Sequence, residues 1–354
     1  MNLRRTVVAA GVVLGAVAVL GTAAAAAGTA PGARQDQAGA TPAFNVVATT
    51  KVGPKPGRLT YGFGATWTLN SDGSVSRVDA TTHAVKTVKL GPNPRDIRAG
   101  YNKIWVLTST KTQAKIFPLT PDGFPVGSPI IFNLGSTVDQ GSSSGVNGAN
   151  TLGIGSGYVW AAGVKTWQKL ARIDPDSGKV VIKTWPIPAA FLAAQSALWM
   201  VTPNQASIQK RDPSSLAIES TLKVSGFTGG TAQSLSLTYG LKFLWLSTAT
   251  PNDDGGVAKV SPTSGLVPGA VSQGLNIGIS CTAAGADAVW VAQRADGLSS
   301  TPAKLVELDQ GNLRTLASGT LPIGANPGAV QCVAVGGGLV YVTDGVGSLY
   351  TIQP

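Results

Sequence analysis

One histidine and two cysteines stand beside 17 carboxylates and 27 basic residues, and that scarcity limits the chemistry open to this chain. His83 ends the turn-like run Ala80-Thr81-Thr82-His83 and reads as a solvated turn residue. With no second histidine, a histidine-based metal centre lacks ligands, and a Ser-His-Asp arrangement has a single position on which to rest. Three nucleophile- or phosphate-like patterns fail on context. Gly141-Ser142-Ser143-Ser144-Gly145 lies in a polar loop, not on a strand-to-helix turn. Ser207-Ile208-Gln209-Lys210 falls in a strand window, and Gly153-Ile154-Gly155-Ser156-Gly157 leads into a strand instead of a helix N-terminus. Asp174-Pro175-Asp176-Ser177-Gly178 begins like a calcium loop but lacks the distal Glu, and its position suits a hairpin turn. Asp253-Asp254 sits in an insertion, where it is either a cation site or a solvated loop. No catalytic residue, metal site or cofactor is expected from this inventory.

The elements that would hold any site come from a repeat. A small-residue turn, two apolar or small residues and an aromatic recur at Trp67, Trp105, Trp160, Trp199, Trp245, Trp290 and Tyr341. A second window follows each copy, beginning at Ser74, Lys115, Lys169, Ser207, Gly256, Lys304 and Ser348, with apolar residues at its second and usually its fifth position. Arg211 makes the Ser207 copy irregular. Abundant Gly, few charges and the Thr, Val and Ser between turn signals are the vocabulary of strands. Each repeat therefore reads as a small antiparallel sheet that cannot bury both faces alone. Radial stacking solves that problem, with the aromatics between neighbours. The expected fold is an all-β, seven-bladed β-propeller.

Ring closure is also written in the chain. Residues 349–354 match a third strand, so the last blade lacks its fourth. Val47 to Pro56 matches Val85 to Pro94, a fourth strand with its exit turn, so an N-terminal strand is expected to complete the final blade. Cys281 and Cys332 each lie nine residues before the aromatic of their blade, at equivalent places on neighbouring inner strands. They are expected either to form a disulfide between blades six and seven or to remain two buried thiols.

Asp72-Gly73-Ser74-Val75-Ser76-Arg77-Val78-Asp79 followed by Val85 to Pro94, and Val340-Tyr341-Val342-Thr343-Asp344, resemble repeats of the YVTN type. The pattern over residues 44–354 is similar to that of virginiamycin B lyase-like propellers. The resemblance implies the fold. The lyases of that family use a histidine, a carboxylate and a metal, and this sequence has no second histidine to match them, so their activity is not carried over.

Arg4 and Arg5 followed by an apolar run from Val7 to Leu20 and the alanines at 23–27 read as a signal peptide over residues 1–27, with an uncleaved anchor as the rival. Residues 28–43 read as a flexible leader and 44–354 as the propeller. A secreted or cell-surface location follows from either alternative, with membrane attachment only if the segment is retained. The formal net charge of +10 favours anionic partners such as a cell-wall component, but the charges are scattered singly, which disfavours nucleic acid.

Arg58, Asp96, Thr151 and Ser236 occupy places equivalent to Cys281 and Cys332, with Arg95 and Gln331 beside them. They are expected to ring one mouth of the central channel, either as a site for an anion or sugar or as hydration sites for channel water. Thr137–Asn150 and Gln293–Pro302 lengthen the loops of the same face, and Trp167 between Lys165 and Lys169 is a candidate stacking platform. The expected function is a non-catalytic binding or scaffold propeller for a polymer, small ligand or protein. The alternative is a lyase or hydrolase using Arg and Asp groups at the channel mouth.

Overall fold

The computed structural model describes residues 44–354 except 111, 134–149, 164–166, 187, 203, 205–206, 225–226, 228–233, 250–254, 273–274, 276–278, 294–302 and 322–329. Its named elements are β-strands, 28 in number, arranged as seven four-stranded antiparallel sheets. Chain order is spatial order within a blade. In the first, Pro56–Gly62 is innermost, then Ala65–Asn70, Ser74–Asp79 and, at the rim, Val85–Lys89. Burial follows from position. Ala65–Asn70 lies between two neighbouring blades and is buried at every residue, whereas Val85–Lys89 is largely exposed. A strand covered on both faces has no solvent side, so its apolar residues need not alternate with charged ones.

The ring closes as expected. Asn45–Lys51 pairs antiparallel with Ser348–Gln353, with Asn45 opposite Gln353 and Lys51 opposite Ser348. The last blade is thus built from both ends of the propeller.

All seven repeat aromatics are fully buried. Five of the indoles donate Nε1–H to the carbonyl five residues back, at the end of the inner strand. These bonds are Trp67 to Gly62 at 3.2 Å, Trp105 to Gly100 at 3.0 Å, Trp160 to Gly155 at 3.0 Å, Trp245 to Gly240 at 2.9 Å and Trp290 to Gly285 at 3.3 Å. The irregular window at Ser207 has its own compensation. Arg211 lies 5.1 Å from the centre of the buried Trp185 ring and donates to the Leu216 carbonyl at 2.8 Å, so the guanidinium is held by an aromatic face and a backbone acceptor.

The hairpins between third and fourth strands explain two sequence candidates. Asp79, Asp174, Asp212 and Asp309 each accept, through Oδ1, the backbone N–H groups two and three residues ahead. The calcium-like run at Asp174 is one of these turns. His83, with φ 58°, takes the left-handed position that Gly178 fills in the blade-three hairpin. Basic side chains also bind the carbonyls of the next blade's hairpin: Arg77 to Pro121, Lys103 to Pro175, Lys183 to Ser214 and Lys259 to Gln310.

Two predictions arise here. Cys281 and Cys332 are disulfide-bonded across a separation of 51 residues, joining the inner strands Ile279–Gly285 and Cys332–Gly336. Closing a loop of that length stabilises by about 4 kcal/mol in the chain-entropy model. The double variant Cys281→Ser/Cys332→Ser should therefore unfold at lower urea, with an equilibrium loss near that size. The second concerns acid. The Ser74 hydroxyl holds the Asp72 carboxyl down to about 2, and the Thr82 and Thr81 amides do the same for Asp79. Unfolded aspartates titrate near ~3.9, so these groups contribute stability above that pH and lose it as the pH falls toward about 2. Urea midpoints should hold between pH 7 and 5 and drop below about pH 4, with a shallower drop in Asp79→Asn.

Candidate functional site

The seven inner strands meet around a central cavity of about 360 Å³, to which every blade contributes. That volume lies at the small end of the ~300–1,000 Å³ typical of ligand sites. Because each inner strand pairs on one side only, a backbone edge faces the axis in every blade. Close approach of the blades depends on small residues at the inner-strand ends. A Cβ on Gly62 would stand 2.4 Å from Ala99 Cβ, and one on Gly336 2.0 Å from the Tyr61 ring.

The charged residues of the lining are Arg58 and Arg98, from blades one and two. Arg58 is exposed and has no hydrogen bond or ion pair among the described residues. Arg98 is committed. Its Nη2 lies 3.3 Å from Asp96 Oδ2, and its Nε donates to the Leu152 carbonyl at 3.3 Å. Asp96 Oδ2 in turn accepts the Leu152 N–H at 2.8 Å. The pair thus holds both backbone groups of one residue on the next blade's unpaired inner edge. Burial pushes the Arg98 guanidinium below its ordinary value, Asp96 opposes that, and the nearby Arg58 charge adds to it. A third of the Arg98 side chain remains open, and the opening is to the channel.

Hydroxyl groups complete the polar set. Thr60, Ser236, Thr238 and Tyr239 line the cavity, and Gln195 Nε2 donates to Tyr239 Oη. Thr282 also borders it, but its side chain is 6% exposed and its Oγ1, closed off from the cavity, has no hydrogen-bond partner among the described residues. In the other six blades the equivalent residue is Leu59, Ile97, Leu152, Phe191, Leu237 or Val333, so a hydroxyl replaces an apolar side chain at this one place.

Of the residues expected at the mouth, Arg58, Ser236 and Cys281 line the cavity. Asp96 does not: its carboxylate is fully buried at the seam between blades two and three. Arg95 turns to the Ser109 carbonyl of its own blade, at 3.2 Å from Nη2. Thr151 is buried and donates to Asn150, and Gln331 is half-buried next to Gly345. Trp167 opens the strand Trp167–Ile173, but its side chain lies outside the described residues, as do Asp253-Asp254, Gly141–Gly145 and most of both long loops. Arg98 and Thr282 were not singled out from sequence. Arg98 was legible in principle, since residues two apart on a strand share a face and Arg98 follows Asp96 by two.

A closed propeller with a small basic-and-hydroxyl channel defines a class of architecture. Solved structures agree with it. The chain is similar to the virginiamycin B lyase from Staphylococcus aureus, with a TM-score of 0.61 and 14% identity over 87% of this chain and 98% of that one. It is similar to the WD40 propeller domain of Doa1, at 0.60 and 10% over 88% and 97%. The Neurospora crassa Pan2 WD40 domain matches at 0.59 and 12% over 86% and 94%. These likenesses show the fold. No family model and no curated protein matches the chain.

The Asp96–Arg98 pair carries its own prediction. Removing one partner of a buried pair leaves the other charge uncompensated, at about 3–5 kcal/mol. Because a third of Arg98 stays open to the channel, Asp96→Ala should cost less than that, about 2 kcal/mol in urea unfolding, and Asp96→Asn less still, because the amide oxygen can still accept the Leu152 N–H.

Proposed function

We propose that this chain is a non-catalytic binding propeller that works outside the cytoplasm and takes a ligand at the channel mouth beside Arg58. The observation that carries this reading is the channel itself. All seven inner strands contribute to a cavity of ligand size, and the described residues that line it offer a free guanidinium and several hydroxyls, with no carboxylate or histidine among them. The enzymatic alternative draws no support from the same place. A lyase or hydrolase at the mouth needs an acid or base in reach, and Asp96 is spent on Leu152 and Arg98. His83, on its hairpin, is not part of the lining. An oxidising compartment suits the Cys281–Cys332 disulfide and matches the N-terminal segment. No helix among the described residues is long and apolar enough to cross a membrane.

The test is a thermal-shift screen of the mature protein against a defined set of sugars, sugar acids and small organic anions. At least one compound should raise the melting temperature. At one hundred times its Kd a ligand stabilises by about 2.7 kcal/mol. Ser236→Trp and, separately, Thr238→Trp add bulk at lining positions outside the apolar core clusters and should abolish the shift, with the melting temperature without ligand checking that each variant folds. A shift that survives both plugs would move the site away from the channel.

A further inference from the structure

Two features of the channel bear on what enters it. The first is charge. Arg98 and Asp96 stand together at the seam between blades two and three with the Arg58 charge nearby, and the carboxylate is engaged with Arg98 and Leu152. That leaves Arg58 as an excess positive charge, facing the cavity and unpaired among the described residues. Asp96 also blunts the Arg98 charge without cancelling the repulsion between the two guanidiniums. A cation with a like charge beside it and low-dielectric walls around it favours an anion over water more than an isolated surface arginine does. The second feature is hydrogen bonding. The inner strands present unpaired backbone edges, and Thr60, Ser236 and Thr238 add hydroxyls to the lining. Such a wall satisfies a ligand with many hydroxyl groups and is poorly matched to a purely apolar one, since edge groups covered without a partner are costly.

We propose that the channel binds a small, polyhydroxylated anion, with its charged group on Arg58 and its hydroxyls on the inner-strand edges and the threonine and serine hydroxyls. This rests on the channel being the binding site and deepens it by naming the ligand class. A carboxylate and a phosphoryl group share the required chemistry. A guanidinium accepts either through two parallel N–H donors, which a lysine ammonium cannot reproduce.

Isothermal titration of the mature protein with glucuronate, glucose 6-phosphate and neutral glucose tests it. One or both anions should bind, and glucose at least tenfold more weakly. The stronger anion identifies the charged group as carboxylate or phosphoryl. Arg58→Gln should weaken the anion at least tenfold and leave glucose unchanged, while Arg58→Lys should recover part of the loss. Arg58 has no partner to lose, so the variant should fold, and an unchanged melting temperature without ligand checks that. Equal affinity for glucose and the anions, or full anion affinity in Arg58→Gln, would overturn the proposal. If that affinity were still lost in Ser236→Trp, the channel would stand as the binding site and only the anion class would fall. Failure of all three probes to bind would overturn the ligand class, with the broader screen then deciding on the channel.

Discussion

The arrangement on which the ring depends is the indole wedged between blades with its N–H tied to the end of its own inner strand. Magnitudes separate the two parts of that arrangement. Burying an aromatic of 150–250 Å² contributes roughly 4–6 kcal/mol at about 25 cal/mol per Å², whereas one hydrogen bond contributes about 1 kcal/mol. Burial therefore supplies the energy, and the bond to Gly62, Gly100, Gly155, Gly240 or Gly285 fixes where the ring sits. The glycine at the bond's far end is the same residue that lets the next inner strand approach, as the 2.4 Å clash of a Cβ on Gly62 shows. One residue thus sets both the aromatic's position and the spacing of the ring. Blade four departs from this with Ala194 in place of glycine, and there the Trp199 Nε1 has no acceptor.

With the spacing fixed, the inner strands cannot pair with one another, and several seams are fastened by other means. Blades two and three use Asp96 and Arg98 on the backbone of Leu152. Blades six and seven use the disulfide, and blades seven and one use Thr343 Oγ1 on the Gly57 carbonyl at 2.9 Å. Away from the axis, Arg77, Lys103, Lys183 and Lys259 tie the hairpins of blades two, three, four and six to the blade before each. Part of the basic excess is therefore spent inside the molecule. Net charge alone is a weak argument for a polyanionic partner here, and the position of one unspent arginine says more.

The blade count, the closing strand and the cysteine pairing were legible because each is a statement about repeat equivalence, which sequence carries directly. The site was legible only in part. Arg58 and Ser236 line the cavity as their positions suggest, yet Asp96 at the equivalent place is fully buried. What separates them is the neighbour across the seam. Leu152 presents an N–H and a C=O to satisfy, and a pattern within one blade does not reveal the needs of the next. Trp185 escaped notice for a related reason: it lies outside both repeat windows, and its role appears only once Arg211 is seen stacked on it.

A repeat protein also offers a way to separate fold from function. At any repeat position most blades show what the fold requires, so a departure needs its own explanation. Some departures are compensated within the molecule. Arg211 is matched by Trp185, and the charges of Asp96 and Arg98 answer each other and Leu152. Others have no internal answer. Arg58 gains no partner among the described residues, and Thr282 sets a hydroxyl without a partner among them where the other blades carry apolar side chains. Both line the same cavity. Two uncompensated departures scattered over the surface would mean little. Two that border the same channel single it out as the first place to look for the proposed ligand.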